Sequence, residues 1–106
     1  MDDKTHYVPS DSDLREALAA YAHEAWSGWM RYMFSKCFSN DAGELTIPAW
    51  AVARWTRQAC TTYWDLPLGE PDSDRAEADK ILEIFKKHRA AIAEAMADAA
   101  EDDYSR

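Results

Sequence analysis

The stretch that decides the fold is Arg54-Trp-Thr-Arg-Gln-Ala-Cys-Thr-Thr-Tyr-Trp-Asp-Leu-Pro-Leu-Gly-Glu-Pro-Asp-Ser-Asp-Arg-Ala-Glu-Ala-Asp79. Its first residues close a helical pattern. Pro67, Gly69 and Pro71 then forbid a continuous helix. The acids that follow, Asp74, Glu77 and Asp79, suit the first turns of another helix, where the helix dipole favours negative charge. The stretch therefore reads as helix, irregular turn, helix. No other part of the chain mixes large aromatic and ionisable side chains so densely.

Upstream, the second helix is expected to start with Thr46 or Ile47 as cap and Pro48 in its first turn, and to run to about Cys60. Trp50, Arg54 and Arg57 form one row on it; Val52, Trp55 and Ala59 form another. Ser39 to Glu44 reads as a loop, because Asn40, Asp41 and Gly43 favour turns. The first helix is expected over 11–38. Ser10 and Asp13 have the spacing of a capping box. Leu14, Leu18, Tyr21, Ala25, Trp29 and Met33 then recur at steps of three and four. A second stripe of His23, Trp26, Ser27, Met30 and Phe34 makes this helix apolar on more than one face, as a central helix would be. Gly28 in its middle is expected to allow a close approach by another backbone or by a ligand.

Downstream, Asp72 or Ser73 is expected to cap a third helix whose stripe is Ala78, Ile81, Leu82, Phe85, Ile92 and Met96. There is no internal repeat and little strand signal. The fold class predicted is all-α: a compact three-helix domain with a Pro/Gly-containing turn between helices two and three. Residues 1–9 read as a polar tail, 10–100 as a single helical domain and 101–106 as a frayed acidic end. The expected core is Leu18, Ala25, Trp29, Val52, Trp55, Ile81, Leu82 and Phe85.

At 106 residues the chain is long enough for one domain with a core. A net charge of −8 argues against general affinity for nucleic acid or anionic membrane, which needs a basic surface. The acidity is uneven: from His23 to Cys60, Arg31, Lys36, Arg54 and Arg57 face only Glu24, Asp41 and Glu44. Cys37 and Cys60 lack metal-ligand spacing, and the reading leaves open whether they pair. No signal-peptide pattern or apolar run of membrane-spanning length is present, so a cytoplasmic protein with free thiols is expected.

No nucleophile elbow, phosphate loop, zinc motif or glycine fingerprint occurs, and no catalytic triad can be drawn. The chain is expected not to be an enzyme, with no catalytic residue, metal or cofactor. His23 reads either as a histidine bonded to a neighbour or as a ligand donor beside a stacking tryptophan. Arg54 and Arg57 read either as partners of acids such as Asp65 or Asp74 or as planar donors to a phosphate. Asp74 with Arg75 reads as a cap and salt bridge pinning the turn.

Two segments carry a family resemblance. His23-Glu24-Ala25-Trp26, then Tyr63-x-Asp-Leu-Pro-x-x-Glu-x-x-Ser-Asp-Arg-x-Glu-Ala, resembles the RyR domain, named from the repeats of ryanodine receptors. His6-Tyr7-x-Pro9 is also similar, and the likeness covers roughly residues 6 to 86. Thr62 stands where the family often has proline, and Pro71 where it has lysine. The short stand-alone form resembles phage or prophage accessory proteins. The resemblance implies binding of a nucleotide-derived molecule without chemistry, in the manner of a phage protein that sequesters a host immune nucleotide signal in the host cytoplasm.

On that basis a ligand-binding pocket is expected from His23, Trp26, Trp29, Met30, Arg54, Arg57, Tyr63 and Arg75. Aromatic faces would stack a base and arginines would hold phosphate. A reading from another class is an acidic interaction module that binds a host protein through the turn from Asp65 to Asp79. A homodimer is also expected. The second helix, at 1.5 Å per residue, reaches only about 20 Å and leaves Ile92 and Met96 uncovered unless the first helix covers them.

Overall fold

The computed structural model describes residues 7–104 of the chain, with side chains only to residue 100. The expectations for residues 1–6, including His6 and most of the tail, and for 105–106 lie outside the described residues. Among the described residues the elements are α1 (Asp11–Lys36), β1 (Phe38–Ser39), β2 (Leu45–Thr46), α2 (Ala49–Ala59), a 3-10 turn (Tyr63–Asp65) and α3 (Pro71–Tyr104). The chain is mostly helical, with three helices as expected and one small sheet that was not.

The start of α1 is the capping box. The Asp13 N–H donates to Ser10 Oγ at 3.3 Å, and Asp13 Oδ2 accepts from the Ser10 N–H at 2.7 Å and hydroxyl at 3.0 Å. The Tyr7 hydroxyl donates to the same carboxylate. These donors, the Ser10 N–H foremost, hold the Asp13 carboxyl below its ordinary range. At the other end α1 stops at Lys36, before the expected Phe38. The Cys37 N–H turns back to the Phe34 carbonyl, and Phe38 enters a strand.

The loop expected over 39–44 is the tip of a hairpin. β1 and β2 pair antiparallel, Phe38 opposite Thr46 and Ser39 opposite Leu45. The Asn40 side-chain oxygen accepts from the N–H groups of Ala42 and Glu44, and Gly43 takes the left-handed conformation at φ 82. Strands of two residues are too short to show an alternating pattern, so the turn chemistry was readable and the strands were not.

Prolines open both later helices. Pro48 sits one place earlier than expected, as the cap of α2, and its carbonyl accepts from the N–H groups of Ala51 and Val52. Neither Thr46 nor Ile47 is the cap. Pro71, rather than a cap at Asp72 or Ser73, precedes the remaining turns of α3 as its first residue, where a missing N–H costs nothing. α3 continues to Tyr104, past the point where fraying was expected.

Where the sequence reads as one compact domain, the described residues group into two units: Met1–Ala22 with Glu77–Arg106, and His23–Ala76. In the first, the start of α1 lies along α3. The Lys80 ammonium stands 5.9 Å from the Tyr21 ring centroid, and His88 acts electrostatically on Asp13. Numbers rise on one helix as they fall on the other, so the pair is antiparallel. Leu14, Leu18 and Tyr21 on α1, and Phe85, His88 and Ile92 on α3, are half-buried, and Ala95 is buried.

The expected core is only partly enclosed. Leu18, Ala25, Trp55 and Phe85 are half-buried; Trp29, Val52, Ile81 and Leu82 are exposed. Among the described residues only Pro48, Ala51, Pro71 and Ala95 are buried. A layer of two or three packed elements can hide a small side chain at a close approach, but it covers a large one on one side only.

A candidate binding face in the His23–Ala76 unit

All eight residues expected to line a site fall within His23–Ala76. Their contacts sort them into separate groups. On α1 the His23 and Trp26 rings lie near-parallel, at 22° with centroids 6.2 Å apart, and His23 Nε2 is 3.4 Å from Ser27 Oγ. His23 thus has a polar neighbour and lies beside an exposed tryptophan, and it is exposed rather than partly buried.

One turn further along α1, Trp29 belongs to a larger cluster. It lies near-parallel to Tyr32 at 5.5 Å and meets Trp55 of α2 edge-on at 5.4 Å. Trp55 also meets Trp50 edge-on at 6.2 Å. Edge-on and offset geometries are the favoured ones for aromatic pairs. The Lys36 ammonium stands 5.4 Å from the Tyr32 ring centroid, within cation–π range. Sequence reading singled out Trp29 but not Tyr32 or Trp50. The available signal was their spacing: Tyr32 lies three residues beyond Trp29, and Trp50 shares a helical row with Arg54. Met30 is half-buried on α1.

Two of the three arginines, Arg57 and Arg75, pair with carboxylates. Arg57 forms a fork with Glu70, Nη2 to Oε2 at 2.7 Å and Nη1 to Oε1 at 3.3 Å. The acids expected as its partners, Asp65 and Asp74, are not the ones it takes. The Arg57 hydrogen bonds, assisted by Gln58, hold the Glu70 carboxyl below its ordinary range, and the Arg54 charge acts in the same sense. The same fork raises the Arg57 guanidinium. Arg75 pairs with Asp72 at 3.0 Å rather than with Asp74. Asp65 accepts from the Thr62 hydroxyl at 3.0 Å. The Arg57–Glu70 fork ties the end of α2 to the turn, and the Asp72 N–H, bonded to the Gly69 carbonyl at 3.3 Å, ties the turn to the start of α3.

Tyr63 meets Trp64 edge-on at 5.0 Å. Trp64 is 87% exposed and Leu68 105%, so the turn presents its largest apolar side chains to solvent. Gly28 has open space around it: a Cβ there would meet nothing within 4 Å, so no backbone approaches it as expected.

Cys37 and Cys60 are free thiols. Among the described residues no group of three or more His, Cys, Asp or Glu side chains could hold a metal ion, and no helix is long and apolar enough to cross a membrane. Comparisons with models of known protein families, with curated proteins and with solved structures found no match.

Proposed function

We propose that this chain is a non-enzymatic interaction module that binds a partner protein through the His23–Ala76 unit. One observation carries the reading. Trp26, Trp29, Trp50 and Trp64 are 59%, 46%, 50% and 87% exposed, alongside Phe34, Phe38 and Leu68. Trp29 and Trp50 are joined through Trp55 into one cluster, and a clustered exposed apolar surface is ordinarily an interaction site. Tryptophan is also the side chain most enriched among binding anchors. The acidic turn contributes less than its charge suggests, because Glu70 and Asp72 are engaged by Arg57 and Arg75.

A second reading keeps the nucleotide-derived ligand that the RyR resemblance implies, with sequestration of a signal as its purpose. The near-parallel His23–Trp26 pair favours it, since an exposed ring face is a stacking platform for a base. Against it, Arg57 and Arg75 already hold Glu70 and Asp72, so of the expected phosphate donors only Arg54 has no carboxylate partner among the described residues.

Affinity capture with the full chain, run beside a thermal-shift screen, separates the two. The module reading expects a stoichiometric protein partner that is lost in Trp50→Ser while helical circular dichroism is kept. The ligand reading expects a nucleotide, cyclic dinucleotide or ADP-ribose derivative at one hundred times its dissociation constant to add about 2.7 kcal/mol. Stabilisation by such a compound with no captured partner reverses the order of the two. Neither result removes both.

A further inference from the structure

The turn between α2 and α3 is built more firmly than a linker needs to be. The Asp65 N–H bonds to the Thr62 carbonyl at 3.0 Å, the Leu66 N–H to Tyr63 at 3.3 Å and the Glu70 N–H to Pro67 at 3.1 Å. Gly69, at φ 92, supplies the left-handed residue that this last turn requires, which places Leu68 at its outer corner. The Arg57–Glu70 fork anchors the turn to α2. Yet this fixed frame, which half-buries Tyr63 and Leu66, leaves Trp64 and Leu68 exposed.

We propose that Trp64 and Leu68 form a preorganised knob that seats in an apolar pocket of a partner protein, a pocket with a basic rim. The inference rests on the interaction-module reading and names its docking element. A loop held in one conformation before binding loses little entropy on binding, so its exposed side chains serve as anchors at low cost. The charge around the knob selects the partner. Glu70 and Asp72 are paired; Asp65 and Asp74 have no ion-pair partner among the described residues, and neither has Arg54, so the free charge of this segment is net negative by one within a chain of net charge −8. An anionic lipid surface or a nucleic acid would be repelled by that excess of negative charge, and a second copy would bring the same excess. A basic rim is complementary to it.

The test uses the full chain with a photo-crosslinking phenylalanine analogue in place of Leu68. A second chain carries the same group in place of Ala93, an exposed residue of α3. Both are irradiated in lysate of the cells that make the protein, as purified chain alone, and with phosphatidylserine vesicles. The proposal expects one discrete protein adduct from position 68 and not from position 93. Trp64→Ala should lower it at least about tenfold, as removal of an anchor does. Asp65→Asn with Asp74→Asn, which keeps the Thr62 hydrogen bond, should weaken it, as should added salt. Circular dichroism checks that each variant is folded. A chain-to-chain adduct in the purified sample, binding to the vesicles, equal adducts from both positions, or indifference to charge and salt each overturns the knob. If the wild-type chain captures a partner that Trp50→Ser loses but Trp64→Ala and Leu68→Ala keep, the knob fails and the module stands, whatever position 68 gives. If nothing is captured at all, the module fails with it.

Discussion

Replacing Gly28 with alanine tests how the middle of α1 is built. Gly28 lies well inside a helix of 26 residues, and the glycines with positive φ are Gly43 and Gly69. A Cβ at position 28 would meet nothing within 4 Å, so neither backbone strain nor a clash opposes the substitution. What remains is the intrinsic preference: glycine in a helix interior costs about 1 kcal/mol relative to alanine, mostly as backbone entropy. Gly28→Ala should therefore stabilise the chain by about that amount. For a chain of this size that is a rise of roughly 4–5 °C in Tm. Thermal and urea melts followed by helical circular dichroism would measure it, with the slope of the urea transition unchanged. A fall in Tm would refute the open surroundings of Gly28 and restore the close approach that the sequence suggests. A rise in Tm together with lost partner or ligand binding would show that the glycine serves a bound molecule.

Four further outcomes follow from particular contacts. Glu70 has a lowered folded pKa, so its contribution is present above its ordinary value of 4.5 and is lost as pH falls through the folded value. Glu70→Gln should lower the urea midpoint near pH 7, and the difference from wild type should vanish in acid. Trp55 is a half-buried hub, so Trp55→Ala should cost about 2 kcal/mol by urea melting rather than the 3–5 kcal/mol of a fully buried aromatic. The Tyr21 hydroxyl is buried without a hydrogen-bond partner, so Tyr21→Phe should leave the thermal midpoint unchanged or raise it. Met96 remains 60% exposed on α3, so sedimentation at micromolar concentration should give a dimer mass that Met96→Glu, with helical circular dichroism kept, reduces to the monomer; a monomer mass in both would refute the dimer.

The sequence by itself determined what is local. The Ser10–Asp13 box, the three helices, the turn residues Asn40 and Gly43, and the break at Pro67, Gly69 and Pro71 each depend on residues a few positions apart, where backbone geometry leaves few choices. Concentration of the candidate residues within His23–Ala76 was legible for the same reason, because they lie in adjoining segments. The tertiary structure decided what is not local. Arg57 had several acids within reach of its row and takes Glu70, thirteen residues on, because the turn brings that carboxylate back to the end of α2. Tyr32 and Trp50 join Trp29 and Trp55 only once α1 and α2 face each other. The exposure of Trp29 and Val52, expected in the core, has the same origin. Periodicity tells which side chains share a face, but only the number of layers packed on that face decides whether water is excluded from it.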